Sequence, residues 1–213
     1  MFLGHFAVAF AAKRAAPRAS LGWLVAACQL PDLVWPLLLL AGVERARIDP
    51  GNTAFTPLAF DHYPWSHSLL LVAVWGVALA ALFRLRGGLQ RDSVIVGAVV
   101  VSHWVLDWIT HRPDLPLVPG GGPLLGLGLW NSVPATLVVE GVLFAVGVWV
   151  YSRTTTARDR VGRWGWVGLV AFLVAVYATN LTSPPPGSVN AVAVAGLAMW
   201  LLVLWAGWVD RHR

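Results

Sequence analysis

Charge is scarce in this chain. Only 12% of its 213 residues are Asp, Glu, Lys or Arg, against roughly 25% in soluble domains. So few charges cannot cover a water-facing surface of this size, which excludes an ordinary soluble globule. Cysteine is scarcer still. Cys28 stands alone, so an intrachain disulfide and a thiolate metal cluster are both excluded. Inside an apolar run it reads as a small buried hydrophobe. There is no internal repeat, and no matched pair of interrupted apolar segments of the kind many transporters carry. Residues 2–12 lack the basic start and small-residue cleavage site of a signal peptide.

Apolar residues, by contrast, make up 58% of the chain. They fall in long runs, which points to lipid as the solvent. A spanning helix needs roughly 20 such residues. Six stretches reach or approach that length: 21–41, 67–83, 93–110, 133–151, 164–181 and 189–209. Residues 2–12 are too short to span and read as a half-length helix tucked against the others. The expected fold is therefore all-α: a polytopic membrane bundle of six transmembrane helices plus a short N-terminal half-helix, in one domain over 1–213.

The basic residues sit in the gaps between runs and act as topology signals, which leaves no case for nucleic acid as a partner. Lys13, Arg14, Arg18, Arg84, Arg86, Arg91, Arg153, Arg158, Arg160, Arg163, Arg211 and Arg213 fall on one side; only Arg45, Arg47 and Arg112 fall on the other. The positive-inside rule places the larger set, and both termini, in the cytoplasm of a cell with this chain in its inner or plasma membrane. Trp23, Trp149, Trp164 and Trp208 mark the inner interface, and Trp65, Trp108 and Trp130 the outer. The two long outer loops, 42–66 and 111–132, are rich in Pro and Gly. That suits ordered turns, and long loops in compact domains are often functional.

Ionisable groups within the membrane are costly unless paired or hydrated, so each marks a functional hypothesis. Spans five and six hold none and read as scaffold (133–209 as a whole carries no recognised motif). At about 1.5 Å rise per residue, His5, Asp32, His103 and Asp107 lie about 12, 17, 15 and 21 Å above the inner boundary. His67 opens the second span from outside. His103, Asp107 and His111 are spaced i, i+4, i+8, which places them on one helical stripe. Imidazole nitrogen and carboxylate oxygen are both good ligands for zinc and other divalent ions. The bland reading is that His103 and Asp107 satisfy each other. In Asp61-His62-Tyr63-Pro64-Trp65-Ser66-His67-Ser68, Ser66 is the expected N-cap of the second span, and Pro64 keeps the preceding segment non-helical. Glu140 is open between a hydrogen bond to a neighbouring helix and a supporting or basic role at the site.

Four elements occur in order: Gly4-His5, Leu30-Pro31-Asp32, His62-x4-His67-Ser68 and Ser102-His103-x3-Asp107. Together they resemble the LexA-binding, inner-membrane-associated hydrolases, also described as membrane-bound metal-dependent hydrolases. The resemblance covers residues 1–120. It implies a helical membrane protein with a divalent metal, distantly related to zinc-dependent phospholipase C and P1-type nucleases. Many members continue Pro-Asp with a further Asp-His, whereas Leu33, Val34 and Trp35 follow here, which implies one ion rather than several; the mixed nitrogen and oxygen ligands point to zinc.

The expected function is a metal-dependent hydrolase acting on a phosphoester or lipid-like substrate from the outer face. The expected metal ligands are His5, Asp32, His67, His103 and Asp107. His62 and His111 serve as acid/base groups or further ligands, Asp61 orients a histidine, and Arg45, Arg47 or Arg112 meets an anionic head group. Three alternatives stand beside it. A transporter or channel needs polar groups along a route through the bilayer. A haem protein would leave the aspartates without a task. A structural or interaction protein would carry the cluster inertly.

Overall fold

The computed structural model describes residues 1–213. Ten helices in chain order form the body: α1 (Leu3–Ala15), α2 (Leu21–Cys28), α3 (Leu30–Leu40), α4 (Pro64–His67), α5 (Leu69–Leu85), α6 (Gln90–Thr110), α7 (Val133–Thr154), α8 (Arg160–Thr182), α9 (Val189–Leu197) and α10 (Met199–Arg211). Two antiparallel ribbons fold in the two long loops: β1 (Arg45–Ile48) with β2 (Leu58–His62), and β3 (Leu115–Pro116) with β4 (Leu124–Leu125). The body is thus a helical membrane bundle, and the Pro/Gly-rich loops add small strands to it.

Four helical units are long and apolar enough to cross a bilayer: α6, α7, α8 and the α9–α10 pair. A fifth arises if α2 and α3 count as one span. The stretch expected to run unbroken over 21–41 is bent by 56° between them. Pro31 explains the break: it has no N–H for the helical ladder and sits comfortably only in a first turn, where α3 places it. The second expected stretch is the 17-residue α5, apolar but too short to count with these, so the fold shows four or five spans where six are expected. Its cap is Ser68, which accepts from the Leu71 N–H at 3.4 Å. Ser66, the expected cap, lies inside α4 and is engaged elsewhere.

Apolar side chains point outward in helical stripes: Leu70, Val74 and Val77 on α5, and Val138, Val142, Val146 and Trp149 on α7. Exposed apolar surface on that scale fits lipid rather than water. The interior is held by close helix contact, as expected where small residues let backbones approach. Gly76 on α5 and Gly97 on α6 face each other, and a Cβ on Gly76 would meet the Gly97 carbonyl at 2.9 Å. α1 packs most closely on α7, where a Cβ on Gly147 would come within 2.6 Å of the Ala7 backbone.

The basic ends gather at one end of the bundle. Lys13 donates to Asp210 at 2.7 Å, the Arg18 N–H to Asp92 at 3.1 Å, and Arg213 to the Thr155 hydroxyl at 3.0 Å. Met1 lies inside the bundle, its ammonium 2.7 Å from Asp107. α1 therefore runs from the level of that aspartate to the basic end.

Gly147→Val should push α1 off α7 and lower stability in detergent by about 1–3 kcal/mol. Gly141→Ala, with open space at its Cβ, should be close to neutral. Thermal unfolding of the two variants beside the unaltered chain checks this.

Candidate metal centre

Five side chains from four elements converge inside the bundle: His5 from α1, Asp32 from the first turn of α3, His67 at the end of α4, and His103 and Asp107 one turn apart on α6. The ligand atoms form two triads sharing one residue, His5/His103/Asp107 and Asp32/His67/His103, with the atoms of each triad within 4.8 Å of one another. His103 Nε2 is 3.0 Å from Asp107 Oδ2 and 3.8 Å from Asp32 Oδ1. His67 Nε2 is 3.4 Å from Asp32 Oδ1 and 3.9 Å from Asp107 Oδ2. His5 Nε2 is 3.1 Å from Asp107 Oδ1, and its ring stacks on that of His103 at 3.8 Å.

The other ring nitrogens explain these orientations. His103 Nδ1 donates to the Cys28 carbonyl at 2.7 Å, at the bend that Pro31 forces. His67 Nδ1 lies 2.6 Å from Ser66 Oγ, and that hydroxyl donates to Glu44 at 2.7 Å. Glu44 also accepts the Ser66 N–H at 2.9 Å. With Nδ1 committed as donor, Nε2 of each ring is left with a lone pair facing the carboxylates, the arrangement that orients metal-binding histidines. His103 Nε2 is buried without an aligned hydrogen-bond partner, although Asp107 is close. Asp107 meets the Met1 ammonium at 2.7 Å, whereas Asp32 has only the His67 and His103 rings beside it, so the two carboxylates are left with one fixed positive charge between them in a low-dielectric interior. The donor set therefore fits a divalent ion with mixed nitrogen and oxygen ligands.

Four of the five are almost fully buried. Asp32 differs: about a third of its side chain is accessible. The cluster is closed on the α1, α4 and α6 sides and open at Asp32.

The chain belongs to the YdjM inner membrane protein family. That family matches residues 1–184, so it takes in α7 and most of the scaffold beyond the motif-bearing first 120 residues. No curated protein matches the chain, and no solved structure does.

The remaining candidate residues are placed apart from the five. α6 ends at Thr110, and His111 has extended backbone (φ −64°, ψ 149°). The i, i+8 stripe accordingly stops short of it. His111 Nδ1 instead meets Asp114 at 2.9 Å, and Tyr63 donates to the same carboxylate at 3.1 Å. Burial first, and then the Asp114 carboxylate, push the Tyr63 phenol well above its ordinary range, so it stays a protonated donor. Tyr63 also contacts His67, with ring centroids 5.2 Å apart, and stands between the cluster and His111. His62 is half-buried on β2, beside a cleft of about 400 Å³ that Tyr63 and Asp114 also line. Asp61 reaches no histidine; it pairs with Arg47 at the surface. Arg112 pairs with Asp114 at 3.3 Å. Glu140 proves to be a helix clamp: its carboxylate accepts the Leu3 and Gly4 N–H groups at 2.6 and 3.3 Å, fixing the α1 start and with it His5.

Sequence reasoning missed Glu44, Asp114 and the Cys28 carbonyl. Asp114 had a signal, three residues after a histidine in a loop. Glu44 had no signal: it follows an apolar run and opens the charged segment Glu44-Arg45-Ala46-Arg47.

Glu44→Ala should release Ser66 and let the His67 ring turn, weakening divalent-metal affinity about 10–100-fold. Asp61→Asn, in the same loop but paired with Arg47, should leave affinity unchanged. Competition titration of zinc against a chromogenic chelator distinguishes the two.

Proposed function

We propose that this chain is a membrane-bound metal-dependent hydrolase that acts from the outer face on a phosphoester or lipid-like substrate. The observation that carries this reading is the pair of committed Nδ1 atoms on His67 and His103, which turn both Nε2 atoms toward two carboxylates, one of them, Asp32, about a third accessible. In this reading His5, Asp32, His67, His103 and Asp107 hold one ion, zinc by its mixed donors. When bound, such an ion supplies Lewis acidity and lowers the pKa of coordinated water toward neutrality.

The chain's own residues have separate tasks. Asp32, at the opening, borders the path for water and substrate. Asp114 fixes the His111 ring through Nδ1, which leaves Nε2 to take or give a proton. His62 faces the outer cleft, and Asp61 holds Arg47 at the rim. A continuous polar route for transport lacks support: between Asp92 and His103 the buried face of α6 is Ser93, Val96, Val99 and Val100.

Orientation belongs to the same proposal. α5, about 26 Å long at 1.5 Å per residue, serves as a sixth span, slightly shorter than the bilayer core of about 30 Å. The basic end then lies in the cytoplasm, together with the C-terminal end of α1 and that of α10. The β-ribbons and the His62 cleft face outward.

Membrane vesicles of both orientations test the reading, with a membrane-impermeant chromogenic phosphoester and with phosphatidic acid as substrates. Right-side-out vesicles should hydrolyse the impermeant substrate and everted ones should not until detergent is added. Chelator should abolish turnover, zinc or manganese should restore it, and His103→Ala or Asp107→Ala should remove it. Turnover that survives in both variants would refute the assignment.

A further inference from the structure

A second polar site lies at the opposite, basic end of the bundle. A cleft of about 500 Å³ opens where the ends of α1, α7 and α10 meet, and only one of its nine lining residues is hydrophobic. Lys13, Arg158 and Arg213 border it, with Thr154, Thr155 and Thr156 between them. Asp210 is the one acid in the lining, and it is fully engaged: Lys13 donates to Oδ2 at 2.7 Å and Tyr151 to Oδ1 at 2.8 Å. With Lys13 and Asp210 paired, Arg158 and Arg213 are the remaining charged side chains of the lining.

The donors divide into fixed and free. Arg213 is fixed, donating to Thr155 and to the Gly162 carbonyl and lying 5.4 Å from the Tyr151 ring centroid. Thr154 and Thr155 spend their hydroxyl protons on the Val150 and Tyr151 carbonyls. Lys13 uses a second proton on the Ala19 carbonyl, at 2.9 Å, and has a third available. The exposed Arg158 guanidinium and the exposed Thr156 hydroxyl make no hydrogen bond within the chain. Basic residues at helix C-termini complement the helix dipole, which accounts for charge here. It does not account for a cleft with free donors.

Depth identifies the occupant. Trp149, Trp164 and Trp208 are exposed around this end of α7, α8 and α10, and tryptophans mark the headgroup level of a bilayer. Basic pockets between helix ends at that level recognise phosphate-bearing head groups. We infer that this cleft binds the phosphate of an anionic phospholipid, with Arg158, Thr156 and the third Lys13 proton as its donors and Arg213 as a fixed positive charge. The inference is independent of the hydrolase reading, because no residue is shared between the two sites.

The test uses the full-length protein, delipidated in neutral detergent. Phosphatidylglycerol, phosphatidylcholine and inorganic phosphate are added separately, and lipid retention by native mass spectrometry is read beside melting temperature. Phosphatidylglycerol should be retained and raise the melting temperature, while phosphatidylcholine should do neither. Arg158→Gln should weaken that retention about fivefold, Thr156→Val should weaken it in the same direction, and metal content should not change. Arg86→Gln removes an exposed charge at the same end but outside the cleft, so it should have no effect. Equal retention of both lipids, or equal losses from Arg158→Gln and Arg86→Gln, would overturn the site. Stabilisation by inorganic phosphate alone would overturn the lipid as its occupant.

Discussion

Asp107 is 2% exposed, in the middle of a bundle whose outer surface is apolar. A carboxylate there is strongly unfavourable unless charge and hydrogen bonds surround it. The arrangement of α1, α4 and α6 answers that constraint. α1 brings His5 and the Met1 ammonium, α4 brings His67, and the preceding turn of α6 brings His103. Each of these is in turn held by a group further out: α1 by Glu140, His67 by Ser66 and Glu44, and His103 by the Cys28 carbonyl. Removing one outer support loosens a ring while leaving all five side chains of the cluster in place.

The bend between α2 and α3 links backbone to site. A straight helix over 21–41 would direct Asp32 elsewhere and leave His103 Nδ1 without its carbonyl partner. Pro31 breaks the ladder, the chain turns by 56°, and two consequences follow within four residues. Cys28 accepts from His103, and Asp32 enters the first turn of a new helix, where the positive end of the dipole favours a carboxylate. Cys28 thus matters through its carbonyl, while its thiol stays a buried apolar group.

Much of this was legible from the residues alone. Hydropathy located the helices, and counting 1.5 Å per residue placed His5, Asp32, His103 and Asp107 in one layer. The i, i+4 relation of His103 and Asp107 is the contact seen at 3.0 Å. What could not be read depends on tertiary geometry. His111 leaves the stripe because the helix ends one residue earlier. Ser66 does not cap α5 because Glu44, 22 residues upstream, claims its hydroxyl and N–H. A backbone carbonyl such as that of Cys28 has no signature in side-chain chemistry at all. The broken first span is half visible in the sequence: Pro31 lies mid-way along the 21–41 apolar run, where it has no N–H for a continuous helical ladder.

The central claim is that the convergent Nε2 atoms and carboxylates form a metal centre. Elemental analysis of protein purified without chelator, joined to X-ray absorption at the edge of the metal found, tests it most directly. The account predicts about one divalent ion per chain, with only nitrogen and oxygen neighbours at about 2.0–2.2 Å. A chain that holds no ion even after zinc or manganese is added, or an ion with a sulfur neighbour, would contradict it.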